Sequence, residues 1–295
     1  MDGAEVMSME VLIDVLWDGL ADSLRLIPFL LVTYVIMEYL EHKTTTKTRA
    51  VMRRAGRLGP LAGSIAGAFP QCGFSAAASS LYAGGVLTTG TLIAVFLSTS
   101  DEMLPVFISE SVGIRQILMI LGIKVMLGAV TGFIVDFVFR FRSVPIRYKE
   151  IHTMCESEHC GCEEGIFKSA VKHTVKIFIF IFVITVILDL LISFFGEENL
   201  TTFISDSPFM GPVFAGVIGL IPNCASSVVI TQLFLNHLIS FGTMMSGLLV
   251  AAGVGLLVLF RTNKRWKENL SILGILYVSG VLWGIVIDLV TKLIS

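Results

Sequence analysis

Residues 59–72 read GPLAGSIAGAFPQC and residues 211–224 read GPVFAGVIGLIPNC, which are two copies of one pattern. Moving residue 59 onto residue 211, a shift of 152 positions, aligns Gly, Pro and Cys of the two copies without a gap. The same shift pairs identical residues far downstream, as late as Asp136 with Asp288. Shared hydrophobicity alone does not give an ungapped match of this length, so the chain carries an internal duplication.

The composition is that of an integral membrane protein. Of the 295 residues, 55% are hydrophobic and 15% are charged, and the mean hydropathy is +0.85. A soluble domain of this size is less apolar, and runs long enough to cross a bilayer recur throughout the chain. The predicted partners are therefore the lipid bilayer and a small solute. No basic domain for nucleic acid and no cleaved signal peptide is evident.

Apolar segments and charged loops divide the chain into two repeats, each with three crossings and one hairpin. The two arms of a hairpin, each about a dozen residues, cover only about 20 Å of the roughly 30 Å hydrocarbon core. The predicted parts are an acidic amphipathic helix (1–23), repeat one (24–141, hairpin 58–85), a linker (142–166) and repeat two (167–295, hairpin 209–237). The predicted crossings are 24–41, 86–109, 114–141, 168–195, 240–260 and 268–293. The fold class is all-α, with a re-entrant or broken hairpin around each Pro-x-Cys, at a depth where irregular backbone must be buried or line a cavity.

The charged loops orient the two repeats. Lys and Arg cluster in residues 42–57, at the start of 142–166 and in 261–267, which predicts that these loops are cytoplasmic and that both termini lie outside. The repeats then have opposite orientations. An odd number of crossings per repeat also inverts a duplicated unit, so both arguments predict inverted repeats in the cell inner membrane.

Inverted repeats with paired broken helices are typical of secondary transporters, whose site lies where the broken helices meet. We therefore predict a transporter rather than an enzyme, with both Pro-x-Cys tips lining one site. The predicted site residues are Gln71, Cys72, Gly73, Ser75, Ser98, Ser100, Asn223, Cys224, Ser226 and Ser227. The alternative is that Pro and Gly only kink packed helices and that each Cys is a small core residue.

Two adjacent carboxylates, Asp101 and Glu102, fall within an apolar crossing, where charge is costly and indicates function. They either bind a cation or carry the protons that drive transport. The alternative places them, solvated, at the outer mouth. Lys124 lies in the middle of the next crossing and either partners these acids or snorkels. Asp136 and Asp288, near the ends of their crossings, are interpreted as structural residues that cap or are solvated at the interface.

The linker concentrates thiol and imidazole groups, at His152, Cys155, His159, Cys160 and Cys162. A reducing cytoplasm disfavours disulfides there, and this ligand set suits Zn(II), Cu(I) or trivalent arsenic. The linker is predicted to capture or sense metal, and the alternative is a merely polar connection. No cofactor is predicted to be required.

The two Pro-x-Cys hairpins, the stretch Ser-Thr-Ser-Asp-Glu-Met-Leu-Pro at residues 98–105 and the Cys/His linker resemble the ten-transmembrane heavy-metal exporter family. That family is similar to arsenic permeases, and its members are also described as arsenic efflux or manganese transporters. The resemblance covers about residues 10 to 293. It implies a permease that moves a toxic metal, metalloid or related solute out of the cell.

Two other function classes stay open. A transmembrane thiol–disulfide electron relay would also use one cysteine per repeat, Cys72 and Cys224, whose sulfurs would have to meet. Uptake of a small sulfur anion is disfavoured, because Asp101 and Glu102 would repel it. No nucleotide-binding loop is present in the sequence. A homo-oligomer also remains open.

Overall fold

The computed structural model describes residues 58–69, 72–100, 103–141, 210–222 and 224–294, with scattered helical residues between 17 and 35 and between 171 and 186. All regular structure in these residues is helical. The linker 142–166 lies outside the described residues. The predicted N-terminal helix and the predicted crossings 24–41 and 168–195 are described only at scattered positions.

The described helices form two sets that follow the sequence repeat. The first set is α1 (Gly59–Gly67), α2 (Cys72–Ala83), α3 (Thr89–Ser98), α4 (Met103–Ser109) and α5 (Ile114–Phe141). The second set is α6 (Gly211–Gly219), α7 (Cys224–Leu235), α8 (Phe241–Val250), α9 (Val254–Thr262) and α10 (Trp266–Ile294). After the shift of 152 positions, every boundary of the second set falls within one residue of its counterpart in the first.

Four stretches of the described chain are long and apolar enough to cross a membrane, namely Thr89–Ser109, Ile114–Phe139, Phe241–Thr262 and Trp266–Leu293. They coincide with four of the predicted crossings. The chain is therefore an integral membrane protein that is helical in its described residues. Within each predicted hairpin, the described chain forms two short helices, α1 with α2 and α6 with α7.

The crossings differ in whether they are buried in the interior or exposed at the surface of the protein. Every residue of α3 from Gly90 to Ser98 is buried, and so is every residue of α8 from Gly242 to Val250. In contrast, α5 and α10 expose many large apolar side chains, such as Phe137 at 62%. At 1.5 Å per residue these two helices are about 42 Å long, more than the hydrocarbon core requires. The long helices therefore face lipid and surround a buried centre.

Two predicted crossings, 86–109 and 240–260, differ from the expectation of one continuous helix. The helix α3 ends at Ser98, because Thr99 has an extended ψ of 130° and its hydroxyl donates to the carbonyl of Val95 at 2.8 Å. Such side-chain bonds compete with helix continuation. The helix α8 ends at Val250, and the chain enters α9 through Gly253 at φ 52°, which glycine adopts without strain. Each repeat thus has a second broken element besides its predicted hairpin.

The start of α3 is fixed by a carboxylate from α5, and the start of α8 in the same way by one from α10. Asp136 accepts hydrogen bonds from the hydroxyl of Thr88 at 2.7 Å and from the amide of Gly90 at 2.8 Å. Asp288 accepts from the hydroxyl of Ser240 at 2.7 Å and from the amide two residues further on at 2.8 Å. The interpretation of these acids as structural caps is confirmed by these bonds.

Asp136→Ala is expected to lower the free energy of unfolding by about 2 kcal/mol, because an amide and a hydroxyl at a helix start lose their charged acceptor. Asp136→Asn should cost about half as much, since its amide can accept from one group and donate to the other. Thermal unfolding in detergent measures both, and Asp288→Ala should reproduce the loss. Equal stability of the alanine and wild-type proteins would contradict the capping role.

Candidate functional site

Four helices end in two close pairs, one pair in each repeat. A Cβ added to Gly67, the last residue of α1, would collide with the hydroxyl of Ser98, the last residue of α3. In the second repeat, a Cβ added to Gly219 at the end of α6 would collide with the carbonyl oxygen of Gly247 in the last turn of α8. Helix C-termini carry partial negative charge, so both pairs create a region that favours a cation.

The side chain of Lys124 joins the two pairs of helix ends. This residue of α5 is 1% exposed, and its Nζ donates to the carbonyl oxygens of Thr99 and Leu248, the latter at 3.0 Å. Thr99 directly follows α3, and Leu248 lies in the last turn of α8. The sequence singled out this lysine only by its position in the middle of a crossing. Its backbone partners carry no residue-type signal and could not be predicted.

In each repeat, one short helix also packs against a short helix of the other repeat. The helix α2 packs against α9, and α7 packs against α4. In the first of these contacts, the hydroxyl of Ser79 donates to the carbonyl oxygen of Gly255 at 2.7 Å. A Cβ added to Gly255 would lie 2.7 Å from the Cβ of Ser75. The helix that begins at Cys72 is therefore in tight contact with the second repeat.

The predicted site residues are only partly described. Gly73 and Ser75 are buried on α2, Ser226 is buried on α7 and Ser227 is half-buried beside it. Cys72 and Cys224 are the first residues of α2 and α7. The other predicted residues that lie outside the description are Gln71, Asn223, Asp101, Glu102 and the five linker ligands.

Three predicted hydroxyl groups bond to nearby backbone. Ser98 donates to the carbonyl oxygen of Ala94 at 2.8 Å, and Ser100 donates to that of Ser98 at 3.0 Å. Ser226 donates to the carbonyl oxygen of Ile221 at 3.3 Å. These bonds fix the backbone where α3 ends and where α7 begins.

A polar cluster that the sequence did not indicate lies where α2 ends and α10 begins. The hydroxyl of Tyr82 donates to Glu268, which pairs with Arg265 at 3.0 Å. The repeat counterpart of Tyr82 is Phe234, whose ring packs on that of Phe241 with centroids 5.8 Å apart. Polar contacts therefore connect the two repeats at this end of the protein. Phe234 has no hydroxyl group, so the counterpart position cannot make the same contact.

Within the described ranges, no group of three or more His, Cys, Asp or Glu residues lies together as a metal site. The soft-metal ligands predicted from the sequence belong to the linker, which is outside those ranges. Within the described ranges, the buried centre offers helix ends, backbone carbonyls and the ammonium of Lys124.

A family model described as "Putative, 10TM heavy-metal exporter" matches residues 8–197 and 175–294. No curated protein and no solved structure matches the chain. The family model agrees with the resemblance that the sequence motifs carried, and it extends over both sets of helices.

Proposed function

Because the chain belongs to the family of ten-transmembrane heavy-metal exporters, we propose that it is a secondary-active transporter rather than an enzyme. Its cargo is a heavy metal, a metalloid or a related small solute, which it exports across the cell inner membrane. The observation that carries this proposal is that two pairs of helix C-termini, one pair in each repeat, are joined by the buried ammonium of Lys124. Secondary transporters build their substrate and ion sites from discontinuous helices in this way.

The two repeats are proposed to be inverted, and three contacts support this. Asp136, near the end of α5, accepts a hydrogen bond from the hydroxyl of Thr88. The hydroxyl of Thr89, which follows Thr88 in the chain, lies 3.3 Å from the hydroxyl of Tyr82. Tyr82 in turn contacts Glu268 at the start of α10. The end of one long helix and the start of its counterpart therefore share one face, as antiparallel helices do. The predicted cytoplasmic loops that flank these two ends support the same topology.

A direct contact between repeat counterparts supports a two-fold relation. The indole Nε1 of Trp283 donates to the hydroxyl of Thr131 at 2.9 Å, and these residues occupy equivalent positions 152 residues apart. A residue that touches its own counterpart lies close to the axis that relates the repeats. The buried helix ends are expected to converge on the same axis, which gives the protein one shared site.

The proposed ligands are Cys72 and Cys224, each the first residue of a twelve-residue helix. The first turn of a helix favours an anionic group, so these positions suit thiolates that bind a soft cation or a metalloid. Asp101 or Glu102, which follow the buried Ser100, is proposed to carry the coupling proton or cation. The linker is proposed to capture or sense Zn, Cu or As before transport.

Inside-out vesicles test the function with a panel of arsenite, Zn²⁺, Cu⁺ and Mn²⁺, with and without a proton gradient. At least one of these should accumulate without ATP and faster with the gradient. Cys72→Ser and Cys224→Ser should each lower accumulation at least about 10-fold, as expected when a metal ligand is lost. Gly122→Ala serves as the control, because a Cβ there meets no atom within 4 Å.

Three results would change the assignment. If both serine variants transport normally while Asp101→Asn abolishes transport, the thiols are not ligands. A Cys72–Cys224 disulfide that passes electrons across the membrane would replace the exporter with a redox relay. Transport of thiosulfate and of no metal or metalloid would replace export with the handling of a sulfur anion.

A further inference from the structure

Lys124 places an ammonium where two repeat-related helices end. Its Nζ contacts the carbonyl of Thr99, which follows α3, and lies 3.0 Å from that of Leu248 in α8. Leu248 provides one of the last four carbonyls of its helix, which have no intrahelical amide partner. Thr99 lies beyond its own helix end. Among the described residues, the ammonium of Lys124 reaches both oxygens.

We propose that these two helix ends form a binding site for a small monovalent cation and that the ammonium of Lys124 is its built-in occupant. The inference rests on the proposed transport function and deepens it. A tethered charge bridges the two repeats, so export requires no free sodium or potassium ion at this position. Removal of the side chain should open the site to a free cation of ammonium size.

The chemistry of the site agrees with this assignment. In discontinuous-helix transporters, carbonyl oxygens and helix C-termini coordinate monovalent coupling cations. A buried charge of this kind is stable only when polar partners satisfy it, and carbonyls from both repeats contact Lys124. Its repeat counterpart, Leu276, is apolar and 0% exposed, so the second repeat has no matching charge at this position. The ammonium of Lys124 thus contacts both repeats.

The test uses thermal unfolding of the full-length protein in detergent, in chloride salts of methylammonium, ammonium, sodium and choline at equal ionic strength. Lys124→Ala should unfold at a lower temperature than the wild type. Methylammonium or ammonium should raise its midpoint by about 5 °C more than choline does. The wild type and Leu276→Ala, a matched truncation at the counterpart position, should show no such difference between salts. Lys124→Met should also show none, because its side chain fills the space.

A selective effect of ammonium salts on Leu276→Ala, or its absence in Lys124→Ala, would overturn the inference. If Lys124→Ala does not fold, Lys124→Met remains informative. It should fold, lose at least 10-fold of the export rate and gain nothing from ammonium salts, and wild-type export by this variant would overturn the proposal. Wild-type export should persist when choline replaces sodium and potassium. The unfolding measurements need no cargo, so they can succeed or fail independently of the proposed export.

Discussion

We expect Gly90→Val to lower the free energy of unfolding by roughly 3–5 kcal/mol and to prevent stable folding. A Cβ at this position would collide with the carbonyl oxygen of Gly132 and with the carboxyl group of Asp136. Neither can move away easily, because one is backbone of α5 and the other caps α3. The helices α3 and α5 would have to separate. Thermal unfolding and the yield of folded protein in detergent measure the effect.

Because the chain is duplicated, the same substitution can be made at an equivalent position, and other glycines serve as controls. Gly242→Val should be equally damaging, because a Cβ there would meet Gly284 and Asp288 in the same way. Gly122→Ala and Gly274→Ala are repeat counterparts in open positions, with no atom within 4 Å of the added Cβ. Alanine there should leave stability unchanged or raise it slightly. Normal stability of Gly90→Val would show that the helices do not cross as closely as described.

The sequence predicted four of the apolar crossings from their hydropathy, and Gly and Pro mark where the short helices within each predicted hairpin start. Gly59 and Gly211 begin α1 and α6, and the cysteine of each Pro-x-Cys is the first residue of α2 or α7. The internal repeat then predicts that the same series of segments recurs 152 residues later in the chain. The breaks after α3 and α8 were not predicted, because hydropathy averages over a window and cannot register one extended residue such as Thr99.

The contacts between the repeats were harder to predict, because they join distant positions and, for Lys124, involve backbone atoms. Lys124 meets a carbonyl 124 residues away, and Tyr82 meets Glu268 across 186 residues. No spacing rule connects such pairs. The duplication indicated the Pro-x-Cys segments as the region of the site, and this stays a prediction. It could not indicate Lys124, since the second repeat has Leu276 at the same position.

Gly255→Val is expected to lower the export rate at least 10-fold while stability falls less than in Gly90→Val. A Cβ on Gly255 would lie 2.7 Å from the Cβ of Ser75 and 2.9 Å from the ring of Phe96. The helix α2 must then move away from α9. Cys72 lies one turn before Ser75, so the first turn of α2 moves as well. Misplacement of a binding group by about 1 Å can cost 10²-fold in rate. Vesicle transport and thermal unfolding, measured on the same preparation, separate the two effects.

Two matched variants isolate the steric cause. Ser79→Ala removes the hydrogen bond to the Gly255 carbonyl without adding volume, and it should cost about 1 kcal/mol of stability with little change in export. Gly274→Ala adds a Cβ to a long helix where no atom lies within 4 Å, and export should be unchanged. If Gly255→Val exports its cargo at the wild-type rate, the first turn of α2 is not part of the site. The proposed ligand role of Cys72 would then also be wrong, because Cys72 and Ser75 lie on the same helix and move together.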